Sequence, residues 1–165
     1  MSFPWGNLPW KKLETRVQIP AAAFMMKVRV VSIGKVKEKY LLDGIAEYEK
    51  RLRPYCKLEF VELRDEGMER EAERLEKYLG NDAYILDVEG KEYGSQEFSG
   101  LFKRHEVRQL TFIIGSAEGI LPAVKKRARL ISLSKMTFTH DMCRLFLIEQ
   151  IYCAHMIVNN RSYHK

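Results

Sequence analysis

Thr111-Phe112-Ile113-Ile114-Gly115-Ser116-Ala117-Glu118-Gly119 is the stretch on which the reading of this chain turns. An apolar, β-branched run that empties directly into glycine reads as a buried strand. Its carboxyl end opens into a crevice, and open α/β sheets bind ligands at such ends. Gly115 is therefore a candidate site residue. Gly119 is a second point where the backbone can turn, or approach a ligand, without a Cβ in the way. The spacing is GxxxG, without the GxGxxG of dinucleotide sites or the Gly-Lys-Ser/Thr of a phosphate loop, so the loop alone is more simply a glycine turn between strand and helix. Downstream, Leu133-Ser134-Lys135-Met136-Thr137-Phe138-Thr139-His140 reads on its own as a polar turn before a helix.

Outward from this stretch, strand and helix patterns alternate. Residues 27–33 are a Val-rich strand ending at Gly34, and 38–53 an amphipathic helix with Tyr40, Leu41, Ile45, Tyr48 and Leu52 near one face, stopped by Pro54. A second strand covers 57–63. Residues 68–79 are helical, with Gly80-Asn81 as the expected cap. A third strand covers 83–88 and ends before Gly90, and a helix starts at Ser95 and reaches about Arg104. The fourth strand is 109–114, followed by a short basic helix over 122–129 with Pro near its first turn, and a short fifth strand over 130–133. This alternation predicts an α/β fold: a mostly parallel sheet with helices on both faces, in a single domain.

The last helix, over 141–159, has almost no polar face: Met142, Leu145, Phe146, Leu147, Ile148, Ile151, Ala154, Met156, Ile157 and Val158 surround it. A helix that is apolar all round is buried on more than one side. Either it threads the domain interior or it forms a subunit interface, for which a symmetric dimer is the commonest solution.

At 165 residues the chain fits one domain with a sizeable core. No run of about 18 apolar residues is present, so a membrane span is excluded. Cys56, Cys143 and Cys153 show neither CxxC spacing nor an even count, which points to reduced thiols in a cytoplasmic protein without a metal site. The net charge of +6 is uneven. Residues 120–165 carry eight Lys and Arg (Lys125, Lys126, Arg127, Arg129, Lys135, Arg144, Arg161 and Lys165) against Asp141 and Glu149, which is the whole excess. Clustering beside the crevice favours a polyanionic partner. The seven acids and three arginines of 62–76 read as a solvated helix face.

Residues 1–25, with Pro4, Trp5, Pro9, Trp10 and Pro20, have neither a periodic pattern nor the features of a secretory signal. They are expected to be a non-native extension or the result of a start assigned upstream, with the domain spanning 26–165 and Met26 as its natural beginning.

Several ordered blocks carry a resemblance: Phe112-Ile113-Ile114-Gly115-x-x-Glu118-Gly119, Leu133-Ser134-Lys135-Met136-Thr137-Phe138-x-His140, Leu147-Ile148-Glu149-Gln150-Ile151-Tyr152 and Tyr163-His164-Lys165. With Lys35-Val36-Lys37-Glu38-Lys39-Tyr40 and Ala46-Glu47-Tyr48-Glu49-Lys50-Arg51-Leu52, they cover residues 26–165. The chain resembles the RlmH-type methyltransferases of the knotted SPOUT superfamily, which act on N3 of a pseudouridine in large-subunit (23S) ribosomal RNA.

The resemblance implies a C-terminal trefoil knot, a rare exception to the rule against threading. It also implies a homodimer, S-adenosyl-L-methionine held in the knot, and ribosomal RNA in the ribosome as the methyl acceptor. The family's cofactor contacts fall on Leu86, Gly115, Leu133, Ser134, Lys135, Met136, Thr137 and Phe138. An imide nitrogen is a poor nucleophile while protonated, so the site needs in-line placement and a proton acceptor. His164, beside Tyr163, is the first choice for that neighbourhood because imidazole titrates near neutrality. Arg144 is a candidate for phosphate or base contact from the second subunit; outside the family pattern it reads as a helix-surface arginine. Glu149 and His140 are expected to be structural.

Three positions depart from the family pattern. Ser116 stands where a second Gly is common, at some cost in backbone freedom. Thr139 replaces a frequent Pro and can cap the last helix itself. Cys153 replaces an Arg, and a thiol does not hold a phosphate or base edge as a guanidinium does. Two other readings follow: a catalytically impaired knotted RNA- or ribosome-binding protein, and, from alternation and glycine alone, a nucleotide-binding dehydrogenase. The absence of GxGxxG with an acid about twenty residues on argues against the second.

Overall fold

The computed structural model describes residues 25–103 and 108–162. Five strands, β1 (Lys27–Ile33), β2 (Lys57–Leu63), β3 (Ala83–Glu92), β4 (Gln109–Ile114) and β5 (Arg129–Ser132), form one sheet in the order β2-β1-β4-β3-β5. Every pair is parallel. Parallel neighbours need crossover connections, and these carry α1 (Lys39–Leu52), α2 (Met68–Leu75), α3 (Ser95–Ser99) and α4 (Pro122–Lys125), while α5 (His140–Val158) follows the last strand.

Alternating side chains divide the core between the two faces of the sheet. Val28, Val30, Phe112 and Ile114 face Leu41 and Ile45 of α1, Phe98 of α3, and Leu147, Ile148 and Ile151 of α5. Val31, Ile33, Ile85 and Ile113 face Leu75 of α2 and Val124 of α4. The expected parallel sheet with helices on both faces is therefore the observed one, and β1, β2 and β4 have the expected bounds.

Other bounds shift for local reasons. α2 tightens into a 3-10 turn over Glu76–Tyr78, and Leu79 is already extended, so Gly80 adopts no left-handed cap conformation. β3 does not stop before Gly90: it slips register between Leu86 and Lys91 and continues to Glu92. Gly90 is needed there because a Cβ would stand 2.5 Å from the backbone N and C of Ile131 on β5. α3 covers one turn before a 3-10 segment over Gly100–Lys103. The basic helix is shorter than expected, and Arg129 opens β5.

No position of α5 is exposed: all nineteen of its residues are buried or half-buried within the one chain. The apolar circumference is thus taken up largely by the domain itself, between α1, α3 and the sheet. Leu147, Ile148 and Ile151 are fully buried, each contributing about 2 kcal/mol of burial free energy. On α1, Gly44 lets Leu145 approach, with its Cδ1 at 3.1 Å from where a Cβ would stand. Thr139 caps the helix as expected, its Oγ1 accepting from the Met142 amide at 3.3 Å.

The acidic stretch over 62–76 is not a solvated face throughout. Glu71 is buried, its Oε2 accepting from the Ser116 hydroxyl and its Oε1 from the Glu66 amide. Glu62 belongs to β2 and pairs with Arg144. Cys56, Cys143 and Cys153 are all free thiols. Among the described residues no helix is long and apolar enough to cross a membrane.

Candidate active site

The carboxyl ends of β4, β3 and β5 lie side by side and open into a cavity of about 750 Å³. β4 ends at Ile114, and the chain folds back at once: the Gly119 amide donates to the Ser116 carbonyl at 3.0 Å, and Gly119 takes φ +87°. This return is what demands glycine at 115. A Cβ there would lie 2.7 Å from Ile120 Cγ1 and 3.2 Å from the Gly119 carbonyl. The glycine expected for close approach to a ligand is thus already required by the loop's own backbone.

The second wall is the segment after β5. Ser132 donates to the Ser134 carbonyl at 2.8 Å, and the Ser134 hydroxyl accepts from the Met136 amide at 3.1 Å, which sets the turn. Phe138 then packs edge-on against Phe146 of α5 at 5.1 Å. Leu86, Gly115, Leu133, Ser134, Met136, Thr137 and Phe138 all line the cavity, whereas Lys135 is exposed and outside its wall. Met136 is 70% exposed at the rim.

Polar and charged groups that the sequence reading did not assign to the cofactor also stand in this wall. Asp87 and Glu89 follow Leu86, Glu118 sits in the glycine turn, and Lys125 and His140 join them. Lys125 Nζ is 2.5 Å from Asp87 Oδ2 and 3.9 Å from Glu89 Oε2. Asp87 and Glu89 lie in the irregular stretch of β3 after its last pairing with β4 at Leu86, and two acids closing an apolar strand run were the signal available for them. Cys143, one helical turn into α5, also lines the cavity, and burial pushes its thiol up from the ordinary value.

Arg144 lies elsewhere. Its guanidinium is buried where β1 and β2 end, donating to Glu62 Oε1 at 2.7 Å, to the Ser32 hydroxyl, and to the Gly34 carbonyl at 3.2 Å. It is therefore not a helix-surface arginine, and it does not line the cavity. His140 opens α5 and faces the cavity. The Glu149 carboxylate accepts from Gln150 Nε2 at 2.6 Å. Cys153 is 3% exposed; burial first, then the Glu149 charge, pushes its thiol up, while the Ser95 hydroxyl acts the other way. Tyr163 and His164 lie outside the described residues.

Comparison with known proteins gives a consistent picture. A family model described as "Predicted SPOUT methyltransferase" matches residues 26–164. Proteins called "Ribosomal RNA large subunit methyltransferase H" from Streptococcus sanguinis and Bifidobacterium adolescentis are 42% and 43% identical to this chain. In each case the match covers 85% of this chain and all of the relative. The protein of that description from Leuconostoc mesenteroides is 42% identical over the same extent.

Proposed function

Because this chain belongs to the SPOUT methyltransferase family, we propose that it transfers methyl from S-adenosyl-L-methionine to large-subunit ribosomal RNA, at N3 of a pseudouridine, on RNA assembled in the ribosome. The observation that carries this reading is the cavity at the ends of β3, β4 and β5, in which seven of the residues expected to touch the cofactor meet. Its volume falls in the range of roughly 300–1,000 Å³ usual for small-molecule sites.

The residues present fit the cofactor. The 133–138 segment and the turn at Gly115 offer irregular backbone, whose amides and carbonyls suit an adenine edge. Asp87, Glu89 and Glu118 supply negative charge at the wall, against Lys125, which suits a cationic sulfonium. The cofactor brings an electrophilic methyl group. The protein's part is to hold the acceptor nitrogen in line with it and to take up or offset the nitrogen's proton. His164, with Tyr163 beside it, is the proposed proton acceptor, and Arg144 the anchor of the neighbouring strand ends.

The reading carries with it a C-terminal trefoil knot, a cytoplasmic location with the ribosome, and a homodimer. The half-buried apolar residues of α5, among them Met142, Phe146 and Ile157, are the proposed contact between copies. Light scattering at micromolar concentration tests the dimer directly. A second reading is favoured by Cys153: a buried thiol that stays protonated takes the place of a fixed cation, so RNA would be held but methyl transferred slowly. Incubation with labelled S-adenosylmethionine and either free ribosomal RNA or whole large subunits separates the two.

A further inference from the structure

Part of the basic excess of the C-terminal third is tied up where it stands. Lys125 is paired with Asp87, Arg127 with Glu76, and Arg144 with Glu62, while Arg129 donates to the Tyr84 hydroxyl at 2.9 Å. A cation already paired with a carboxylate releases few counterions from RNA, because it must exchange one anion for another. A second group of cations, unpaired among the described residues, follows the carboxyl end of β1, at the same end of the sheet as the cavity.

Gly34 turns the chain off β1 with φ +79°, and Arg144 holds its carbonyl at 3.2 Å. In the segment that follows, Val36 is buried in the core, while Lys35 and Lys37 on either side of it are exposed and have no acidic partner among the described residues. Lys39 is exposed too, with an i,i+4 contact to Asp43 at 3.2 Å, a pairing worth little in water. Tyr40 presents its ring to solvent, 65% exposed at the start of α1. β1 pairs with β4, Ser32 opposite Ile114, so this segment leaves the sheet next to Gly115 and the cavity.

We infer that Lys35, Lys37 and Tyr40 form a contact face for single-stranded ribosomal RNA beside the cavity: the lysines hold phosphates and the tyrosine ring stacks on a base. Free cations together with an exposed aromatic ring are a recurring means of holding single strands. Buried Val36 and the Arg144 anchor fix the segment to the sheet, so the lysines are held in place. The inference rests on the proposed RNA substrate and specifies where that RNA lies.

The test is filter binding of the full chain to protein-free large-subunit ribosomal RNA across a potassium chloride series. Lys35→Gln with Lys37→Gln lowers the slope of log affinity against log salt by about one per lysine. Lys57→Gln, at the opposite, amino end of the sheet, leaves the slope unchanged. Tyr40→Ala weakens binding about tenfold without changing the slope, and Tyr40→Phe restores it. Calorimetric titration with S-adenosylmethionine is the same for all four proteins. An unchanged slope in the double lysine variant, with RNA still bound, overturns this face alone. A wild-type chain that binds cofactor but no ribosomal RNA overturns the substrate reading with it. Loss of half the solution mass in Tyr40→Ala assigns the face to a second copy of the chain and overturns the RNA contact.

Discussion

The Ser116 hydroxyl donates to Glu71 Oε2 at 3.1 Å, tying the glycine turn of the cavity to α2, on the face of the sheet opposite α1 and α5. Glu71 is 3% exposed, so its carboxylate depends on this donor and on the Glu66 amide. Ser116→Ala is expected to cost about 2 kcal/mol of stability, the penalty of a buried charged acceptor losing a partner. It is also expected to weaken cofactor binding several-fold, with Ser116→Thr close to wild type. Thermal melts and titration calorimetry measure the two effects; cofactor affinity untouched by Ser116→Ala would show that the turn is held without this bond.

Gly115→Val should abolish cofactor binding while leaving a folded sheet. The added carbons collide first with the Ile120 side chain and the Gly119 backbone, so the turn is displaced but β4 is not. Calorimetry on a variant with a native circular dichroism spectrum is the check. Retained affinity would remove Gly115 from the site.

His155 should make the fold sensitive to acid. Its ring stacks near Tyr55 and meets the edge of Phe102, and Nε2 has no partner among the described residues. Burial pulls its pKa down to about 4. Unfolded histidine titrates near 6.5, so between those values the unfolded chain binds a proton that the folded one refuses. Stability is therefore full above about pH 6.5 and falls as pH drops towards 4, by about 2 kcal/mol at pH 5. Denaturant midpoints at pH 7 and pH 5 measure the loss. His155→Phe should remove that part of it, and an identical pH dependence in the variant would show that other groups are responsible.

Cys153→Arg tests the departure on α5. The guanidinium would enter beside Ser95 and Glu149, whose carboxylate is one turn away. Methylation is expected to quicken and RNA binding to tighten, with cofactor affinity unchanged. A rate left the same or lowered would mean that the site is organised around the thiol.

How much of this was legible in the sequence depended on the range of the interaction. β1, β2 and β4 are short apolar runs bounded by turn residues, so local pattern fixes their bounds. In β3, Gly90 looks locally like a terminator, while its real reason is the Ile131 backbone passing across it. The cavity lining after β5 is legible only through its resemblance to the family motif, since Ser134 and Thr137 look locally like any polar turn. Locally Glu71 looks like part of a solvated face, and nothing near Arg144 shows its burial, because their partners, Ser116 and Glu62, lie 45 and 82 positions away. No periodicity carries that information.

The most direct measurement is nucleoside analysis of large-subunit ribosomal RNA after incubation of whole large subunits with the protein and methyl-labelled S-adenosylmethionine. Label recovered in N3-methylpseudouridine, and lost with Gly115→Val, is the predicted result. Label absent from that nucleoside, with the cofactor bound in calorimetry and the RNA known to carry unmethylated pseudouridine, would contradict it.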